Sequence, residues 1–532
     1  MYKTIDLFAG AGGMSLGFKQ TDKFELVAAA EINSNARATY MANIPTKSED
    51  FKFIDNVIGC NFKSLNEELG GIDIVIGGPP CQGFSNANRQ KNHLINMNNA
   101  LVKEYFRAIK EIKPIAFVME NVSMLESDTH RFYDSTNDHD EIEALRNEGH
   151  TISTRTDNIF ISKNNFDNFN MLDIANNIDI VENLIIPNNL YTLIRVLNKN
   201  KNNTKRLPNF LKKNSNQLIK QIDLYLNVAN QQNPHQAQIC LMLNAIKNSL
   251  QNTDMINNCT ELPILVELQK NLISIQEIYQ NNLIGTYSTD SENNVIFLTK
   301  SYSVIDYINA ILGNQYIQNG ATLNAEWFGV PQERRRHIII GIRKDNNKTT
   351  EIIFPTESVC DKHYTVADAI MDLEEYPVSY EKNCDEIPYK SFNVSEYAVE
   401  MRQNSLTVKN HITTKTTEVA MERFKAIEQG KNFHSLDAEL KTTYSDPKRT
   451  QNTIYLRLNP NEPSGTVVNV RKSMWIHPTR DRAITVREAA RLQSFPDNFK
   501  FIGTKDSQYQ QVGNAVPPKL AQGIANIVLN LI

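Results

Sequence analysis

The feature that most constrains the fold is an alternation of short apolar runs and helix-like stretches over residues 1–125. Four runs rich in strand-favouring residues occur at Lys3–Phe8, Phe24–Glu31, Ile72–Gly78 and Ile115–Asn121. Helix-like patterns lie between them, and in Leu101–Ile112 the apolar residues recur at the spacing of one helix face. Short buried strands separated by helices predict a mostly parallel α/β sheet, which a further strand at His337–Arg343 is expected to join.

The middle of the chain has a different composition. Residues 130–300 are rich in Asn, a bias that an AT-rich genome would also produce, and no glycine occurs between Gly149 and Gly285. Helical patterns recur at Leu218–Val228, Leu241–Leu250 and Leu262–Ile278. We therefore predict an inserted, mainly helical module, with disorder of its most polar part, Asn198–Asn216, as the alternative.

Bulk properties exclude several classes of protein. No basic leader precedes an apolar run at the N-terminus, and no apolar stretch reaches the roughly 20 residues of a membrane-spanning helix. Six scattered cysteines without a CxxC pair argue against a zinc site or a disulfide framework and favour a reducing cytosol. The net charge is −4, so nucleic-acid contacts must come from a local basic surface. Residues 405–482, with 13 Lys and Arg against 8 Asp and Glu, are one candidate.

A glycine-rich turn follows the first predicted strand. It reads Asp6-Leu7-Phe8-Ala9-Gly10-Ala11-Gly12-Gly13, and a helix is predicted at Met14–Lys19. Such glycines let the backbone approach a ligand closely, in the crevice that the helix N-terminus faces. The turn alone fits any nucleotide-type cofactor, but it lacks the GKS or GKT of a triphosphate site. Glu31 ends the second strand, where a carboxylate can bind ribose hydroxyls, although a solvated strand end would look the same.

A cysteine in a rigid loop is the candidate nucleophile. The strand Ile72–Gly78 runs into Pro79-Pro80-Cys81-Gln82-Gly83. Because the prolines fix φ and the glycines permit sharp turns, the thiol of Cys81 would be held at the carboxyl end of a parallel strand, where ligands bind in open α/β sheets. A lone cysteine is usually a small buried hydrophobe, but that role requires no such loop.

Two further candidates lie near strand ends. Glu120 is expected at the same sheet edge as Cys81, with a solvated carboxylate as the alternative. Three arginines precede His337–Arg343, and adjacent arginines are usually a solvated or phosphate-facing patch. Alternation along an extended backbone would place Arg334 and Arg336 on one face and Arg335 on the other.

In these residues and the motifs around them, the sequence resembles the DNA cytosine-5 methyltransferase family of restriction-modification type. The matching stretches are DLFAGAGG, GGPPCQGFS, MENV, QERRR, REAARLQSFPDNF and QVGNAVPP, in the family's order. The resemblance implies an S-adenosylmethionine-dependent methyltransferase fold, a Rossmann-like mixed α/β sheet flanked by helices. It places the catalytic domain at 1–129, 301–350 and 476–532, the helical insertion at 130–300 and a smaller target-recognition domain at 351–475.

The resemblance also implies the reaction, which is sequence-specific methylation of cytosine C5 in duplex DNA, with S-adenosylhomocysteine as product and no metal. Cys81 would add to C6 of a flipped-out base, Glu120 would protonate or hydrogen-bond N3, and Arg336, with Arg334 beside it, would hold the base. The loop Phe84–Asn99 would close over the base, unless it is an ordinary exposed connection. Pro463–Val468 resembles a family turn near the target base.

Contacts with the cofactor are implied at twelve positions. They are Phe8, Ala9, Gly10, Gly12, Gly13, Glu31, Ile32, Asn61, Pro80, Leu101, Asn514 and Val516. The sequence departs from the family at Cys60-Asn61, where an Asp-Ile pair usually contacts the adenine, so that Asn61 or Asp55 substitutes or the adenine is held differently. The long insertion is the second departure.

Two rival functions are disfavoured. A tRNA methyltransferase with this catalytic domain would have a short recognition region and a Cys-Phe-Thr tripeptide, and a non-catalytic homologue would lack the cysteine, the glutamate or the glycine turn. The expected partner is duplex DNA. A separate cognate restriction endonuclease is a candidate partner, and an orphan methylase is the alternative. We expect a monomer in the cytoplasm of a bacterial or phage-infected cell, without membrane contact.

Overall fold

A computed structural model describes most of the chain in two compact units. The described residues are 1–44, 51–80, 98–121, 131–204, 206–230, 232–346, 348, 351–381, 386–390, 393–403, 405–444 and 447–532. Among them, the first unit comprises residues 1–80, 98–121 and 311–532, and the second comprises residues 131–310. No helix in these ranges is both long and apolar enough to cross a membrane.

Strands occur in both units. In chain order they are β1 Tyr2–Leu7, β2 Phe24–Ala30, β3 Lys52–Ile54, β4 Ile74–Gly77, β5 Ala116–Asn121, β6 Arg131–Tyr133, β7 Thr154–Lys163, β8 Asn165–Phe166, β9 Phe169–Asn170, β10 Gly285–Thr289, β11 Asn294–Ser303, β12 Tyr316–Asn324, β13 Arg335–Arg343, β14 Ile387–Pro388 and β15 Thr407–Val408.

Helices account for most of the remaining regular structure. In chain order they are α1 Gly13–Lys19, α2 Ser34–Asn43, α3 Phe62–Glu68, α4 Asn98–Ile112, α5 Thr136–Asn147, α6 Met171–Ala175, α7 Ile178–Leu184, α8 Asn188–Asn200, α9 Arg206–Val228, α10 Pro234–Ser249, α11 Thr253–Asn258, α12 Glu261–Gln280, α13 Val304–Leu312, α14 Val366–Ile370, α15 Glu396–Arg402, α16 Glu418–Ala426, α17 Ala438–Lys441, α18 Val470–Ser473, α19 Val486–Leu492, α20 Lys505–Asn514 and α21 Pro518–Leu531.

A seven-stranded sheet organises the first unit, in the order β12-β13-β5-β4-β1-β2-β3. Strands β1 to β5 run parallel, whereas β13 pairs antiparallel with both β5 and β12. The predicted mixed α/β sheet is therefore confirmed. Strand β12 was not predicted, because Gln318, Asn319 and Gly320 interrupt its apolar pattern. Strand order reverses between β1 and β4, and open α/β sheets bind ligands at the carboxyl ends of such strands.

Helices α1 and α21 pack closely over this sheet. A Cβ atom at Gly13 would lie 2.3 Å from the carbonyl oxygen of Val516, and one at Gly17 would lie 2.3 Å from that of Pro518. Only glycine permits this approach. The packing brings the C-terminal end of the chain against the helix that follows the first glycine-rich turn.

The second unit combines helices with a sheet that the sequence did not reveal. Helices α6 to α12 share one apolar core, and β6, β7, β10 and β11 form a four-stranded antiparallel sheet. The alternative of disorder at Asn198–Asn216 is wrong, because α8 extends to Asn200 and α9 begins at Arg206. The buried face of α9 includes Leu207, Phe210 and Leu218, so its many polar residues lie on the opposite face.

Residues 351–532 of the first unit contribute to several apolar cores. Val366, Tyr397 and Ile412 pack with the C-terminal helices, including Val486 and Tyr509. A separate small core contains Ala420, Phe424, Ile427, Phe433, Leu436, Tyr455 and Ile476. A further small core consists of Leu373, Tyr376 and Val408. The assignment of 351–475 to target recognition stays a prediction.

A buried ion network holds α19 in place. The Arg491 guanidinium donates to Asp497 Oδ1 at 2.9 Å, to Asp497 Oδ2 at 2.5 Å and to Asp372 Oδ1 at 2.6 Å. Burial opposes ionisation of Asp497, but Arg491 and Arg487 outweigh it and hold the Asp497 pKa below its usual value. Arg491, Asp497 and Asp372 are all buried, so the charged state of each is stabilised by its ion-pair partners.

We predict that Arg491→Met destabilises the protein by about 3–5 kcal/mol, because it leaves the buried Asp497 carboxylate without its main partner. The control is Arg471→Met, which removes a pair with Asp506 in which both side chains are about 40% exposed or more, and should cost under about 1 kcal/mol. Urea unfolding measures both. Equal midpoints for the two variants would contradict the structural role of Arg491.

Candidate active site

A cavity of about 430 Å³ opens at the carboxyl ends of the central strands of the first unit. Several parts of the chain that are remote in sequence line it. They are the end of β1 with the glycine-rich turn, the residues after β2, the ends of β4 and β5, and the helices α18 and α20 with the loop after α20. The lining residues include Asp6, Phe8, Gly10, Glu31, Asn33, Gly78, Glu120, Asn514 and Val516. The position agrees with the ligand crevice expected where strand order reverses.

The glycine-rich turn has an unusual backbone. Phe8 has φ 65°, Gly10 has φ 57° and Gly12 has φ 94°. A left-handed conformation is costly for Phe8, which has a Cβ atom, and such strain concentrates at functional sites. The Glu31 carboxylate accepts hydrogen bonds from the Gly10 N–H at 3.0 Å and the Asn33 N–H at 2.7 Å. These bonds fix Glu31 at the cavity, with lone pairs remaining for a ligand.

Asp6 is a buried carboxyl group at the floor of the same cavity. It accepts a hydrogen bond from the Ser15 hydroxyl at 2.5 Å, and that hydroxyl lies 2.9 Å from Tyr40 Oη. Burial raises the Asp6 pKa to about 7. The Ser15 hydrogen bond opposes this increase, and the negative charge of Glu31 adds to it. Asp6 therefore titrates near neutral pH.

Glu120 and Arg336 form an ion pair at this edge of the sheet. Arg336 Nε lies 2.7 Å from Glu120 Oε1, and each side chain is 16% exposed. The register places Glu120 opposite Ile338, so Arg336 is its diagonal neighbour on the same face. A Cβ atom at Gly78 would lie 2.9 Å from Glu120 Oε2. Glycine at position 78 therefore leaves room for the carboxylate beside the β4 loop.

Arg334 occupies a different environment from Arg336. It is 1% exposed, and its guanidinium donates to the Val467 carbonyl at 3.0 Å and the Gly513 carbonyl at 3.1 Å. Burial and the neighbouring positive charge of Arg336 lower the Arg334 pKa, whereas Glu120 raises it. Arg334 thus faces inward with Arg336, as alternation predicts, while Arg335 is exposed. Its contacts are those of a residue that positions backbone segments around the site.

The cavity is lined by seven of the twelve positions expected to contact a cofactor. They are Phe8, Ala9, Gly10, Gly13, Glu31, Asn514 and Val516. Gly12, Ile32, Asn61, Pro80 and Leu101 are not among its lining residues. Ile32 is 80% exposed, and the Asn61 side chain accepts the Ser64 N–H at the start of α3. Asp55, the other candidate for an adenine contact, pairs with Arg37.

Several lining residues were missed from the sequence. They include Asp6, Asn33, Asn35, Lys472, Asp506 and Gln510. Asn33 carries a recognisable signal, since it caps α2 by accepting the Asn35 and Ala36 N–H groups. Lys472, Asp506 and Gln510 carry none, because only the tertiary fold brings α18 and α20 to the glycine-rich turn.

The predicted nucleophile Cys81 and the predicted closing loop Phe84–Asn99 lie outside the described residues, apart from the first residues of α4 at 98–99. Cys81 follows Pro80 directly and stands three positions after Gly78. Its role stays a prediction. In the part of the chain that the structure describes, no cluster of His, Cys, Asp and Glu has the arrangement of a metal site.

Comparison with known proteins identifies the family. The family model for C-5 cytosine-specific DNA methylases matches residues 2–160 and 293–530, leaving out the middle of the inserted module. The type II methyltransferase M.DdeI of Desulfomicrobium norvegicum is 32% identical over 253 residues, which cover 44% of this chain and 60% of that protein. M.XorII, a type II methyltransferase of Xanthomonas oryzae pv. oryzae, is 25% identical over 99% of this chain and 84% of its own length.

A solved structure supports the fold. A prophage-encoded protein of E. coli, described as a DNA modification methyltransferase, superposes with a TM-score of 0.55 at 18% identity, over 100% of this chain and 99% of that one. The family match covers well over half of the 532 residues. The chain belongs to the C-5 cytosine-specific DNA methylase family and is a DNA cytosine-5 methyltransferase.

Proposed function

We propose that this protein methylates one cytosine in a specific sequence of duplex DNA through a covalent adduct between Cys81 and C6 of the flipped-out base. The observation that carries the proposal is the Glu120–Arg336 ion pair, whose glutamate lines the same cavity as the glycine-rich turn and Glu31. A group that binds a base and a group that binds a nucleoside cofactor thus share one cavity.

The cavity suits S-adenosylmethionine. Glu31 offers a carboxylate for ribose hydroxyls, and the left-handed turn at Phe8 and Gly10 exposes backbone to a ligand. Asp6 supplies a carboxyl group whose ionised form attracts the positive charge of the cofactor's sulfonium group. About 430 Å³ is within the usual range for a small-molecule site. Phe8, Gly10, Glu31, Asn514 and Val516 are the residues proposed to hold the cofactor, which supplies an electrophilic methyl group when bound. S-adenosylhomocysteine is the product that leaves, and no metal is required.

The protein's own groups activate the base. The Cys81 thiolate adds to C6, which makes C5 enamine-like and able to take the methyl group. Glu120, in its protonated form, donates a hydrogen bond or that proton to N3, where negative charge would otherwise accumulate. Arg336 holds Glu120 in place through its 2.7 Å contact and provides the positive field that favours a thiolate. Loss of the C5 proton and release of the cysteine restore the aromatic ring.

Access and specificity require further parts of the chain. The reacting atoms are stacked inside a duplex, so the base must leave the helix. We assign target recognition to 351–475, and most firmly to the segment with its own small core, Ala420 to Ile476. The turn Pro463–Val468 is held against the catalytic strand, since Ser464 exchanges backbone hydrogen bonds with Pro331 and Glu333.

The biological setting follows from the relatives. M.DdeI and M.XorII are type II methyltransferases of bacteria, so we infer a cytoplasmic enzyme, acting as a monomer, that protects DNA from a separate cognate endonuclease or acts as an orphan methylase. The family model leaves out residues 161–292, so most of the inserted module is additional to the part of the enzyme that the family model describes.

We predict that Cys81→Ser abolishes transfer of tritiated methyl groups to duplex DNA, because the alcohol is too weak a nucleophile for C6. The control is Cys360→Ser, at a half-buried cysteine that is not among the lining residues of the cavity. Duplex DNA with 5-fluorocytosine at the target should trap the wild-type enzyme, since fluorine blocks the final elimination. An adduct mapped to another cysteine would refute the role of Cys81.

We predict that Arg336→Met lowers kcat by roughly 10²-fold or more, because Glu120 loses the charge that orients it. The adjacent and exposed Arg335 offers a matched control with the same charge change. Arg335→Met should leave kcat within about twofold and act, if at all, on KM for DNA. Single-turnover methylation measures the chemical step directly, and equal losses in the two variants would contradict the assignment.

We predict that the affinity for S-adenosylmethionine relative to S-adenosylhomocysteine rises between pH 6 and pH 8. Asp6 has a pKa of about 7 in the cofactor-free protein, so it is mostly protonated below that pH and ionised above it. Only the ionised form attracts the sulfonium charge that S-adenosylhomocysteine lacks. Calorimetric titration of both ligands gives the ratio.

Asp6→Asn is the control for this pH effect, since its amide does not ionise. The variant should show a ratio that is independent of pH. A flat ratio in the wild-type protein, or the same slope in Asp6→Asn, would show that Asp6 does not sense the cofactor charge.

A further inference from the structure

The inserted module contains a strongly basic stretch inside an acidic chain. Residues 183–253 hold nine Lys and Arg and one acidic residue, Asp223. The rest of the chain holds 47 Lys and Arg against 59 Asp and Glu. An AT-rich genome raises Lys and Asn together, but it gives no reason for Asp and Glu to vanish over so long a stretch.

Helix α9 carries four of these nine charges, and all four are exposed. Arg206, Lys213 and Lys220 are seven residues apart and exposed, and a helix rises 1.5 Å per residue with a drift of about 20° per seven residues. They therefore form a nearly straight row that spans about 21 Å. Lys212 is exposed beside the row. The opposite face, with Leu218, Ile222 and Tyr225, is buried.

No carboxylate neutralises this row within the described residues. Asp223 pairs with Lys247, which leaves it satisfied by a lysine of α10. Arg206, Lys212, Lys213 and Lys220 form no ion pair among those that the structure describes. Exposed cations on ordinary helices are usually interspersed with acids at i±3 or i±4, which stabilise the helix. The one acid of α9, Asp223, stands three residues after Lys220, but it pairs with Lys247 of α10.

Exposed Asn209 and Asn216 lie between the cations on the same face. Amide side chains, like lysine and arginine, donate hydrogen bonds to phosphate oxygens. Duplex DNA carries one negative charge per about 1.7 Å of helix axis, so a row of about 21 Å matches a phosphate-rich surface without reading any base.

We infer that the exposed face of α9 is a sequence-independent binding surface for the phosphate backbone of duplex DNA. The surface consists of Arg206, Lys212, Lys213 and Lys220, with the amides between them. It lies outside the residues that the family model matches. It rests on DNA as the substrate, but not on the proposed roles of Cys81, Glu120 or Arg336.

The test uses the full chain and a duplex of A·T pairs only, which contains no target cytosine. The variant K212Q/K213Q/K220Q removes three charges from the surface. The matched control K163Q/K270Q/K300Q removes three charges from other exposed positions of the same module. Binding is measured over a range of salt concentrations, and thermal unfolding checks that both variants fold.

The surface variant should weaken binding and reduce the slope of log K against log salt by up to about 2.7, since each phosphate contact contributes about 0.9. The control variant should keep the wild-type slope, and K212R/K213R/K220R should restore it. Wild-type slope in the surface variant, or an equal loss in the control, would overturn the inference.

Two further readouts separate this inference from others. Loss of binding to vesicles of acidic lipid, with DNA binding intact, would assign the surface to a membrane and overturn it. Methylation of saturating target DNA should stay at the wild-type rate in the surface variant. That rate tests the proposed catalytic residues independently, because none of them is altered.

Discussion

Buried hydrogen bonds of two side chains, Gln332 and Arg334, join four segments that are distant in the sequence, and the active site depends on them. Gln332 donates to Gln493 Oε1 at 2.8 Å and accepts the Val467 N–H at 2.7 Å, while Arg334 binds the carbonyls of Val467 and Gly513. Such bonds inside a low-dielectric interior are costly to leave unmade. They hold the residues before β13, the turn Pro463–Val468, the end of α19 and the end of α20 as one set. Because Arg336 stands two residues after Arg334, the same set fixes the ion pair with Glu120.

This arrangement explains why the chain's ends meet. Residues 514–516 line the cavity with the glycine-rich turn, and the contact requires Gly13 and Gly17 to lie against the backbone of Val516 and Pro518. Glycine therefore serves two separate purposes near the N-terminus. Gly10 provides a left-handed backbone at the ligand crevice, and Gly13 and Gly17 provide close helix packing. The two sets of glycines cannot be distinguished in the sequence. Only Gly13 and Gly17 are required by the position of the C-terminal segment.

The local sequence pattern was sufficient to predict five strands of the main sheet, and their observed ends differ from the predicted ends by at most two residues. It also predicted that Glu31 and Glu120 lie at strand ends. It was insufficient where tertiary contacts decide. Strand β12 has no regular alternation, because its partner β13 supplies the hydrogen bonds. Lys472, Asp506 and Gln510 reach the cavity through packing of α18 and α20. The polar stretch near residue 200 was compatible with disorder, and is helical because a narrow apolar stripe on α9 is buried in the module's core.

The two charged environments of this protein show why burial, not charge alone, decides what an ionic group does. Arg491 and Asp497 are both buried and mutually paired, so their charges are fixed over the accessible pH range and serve stability. Asp6 is equally buried, but no cation pairs with it among the described residues. Burial therefore raises its pKa to about 7, and the negative charge of Glu31 adds to the increase. The sign of the consequence follows from linkage. Between the ordinary Asp value near 4 and about 7, the folded protein keeps a proton that the unfolded chain has lost, and stability falls as the pH rises through that window. A bound cationic ligand would offset this loss of stability, because it stabilises the ionised form of Asp6. An unpaired carboxyl group in the cavity is thus unfavourable for the empty protein and favourable for the complex, which is the pattern expected of a site built for a positively charged ligand.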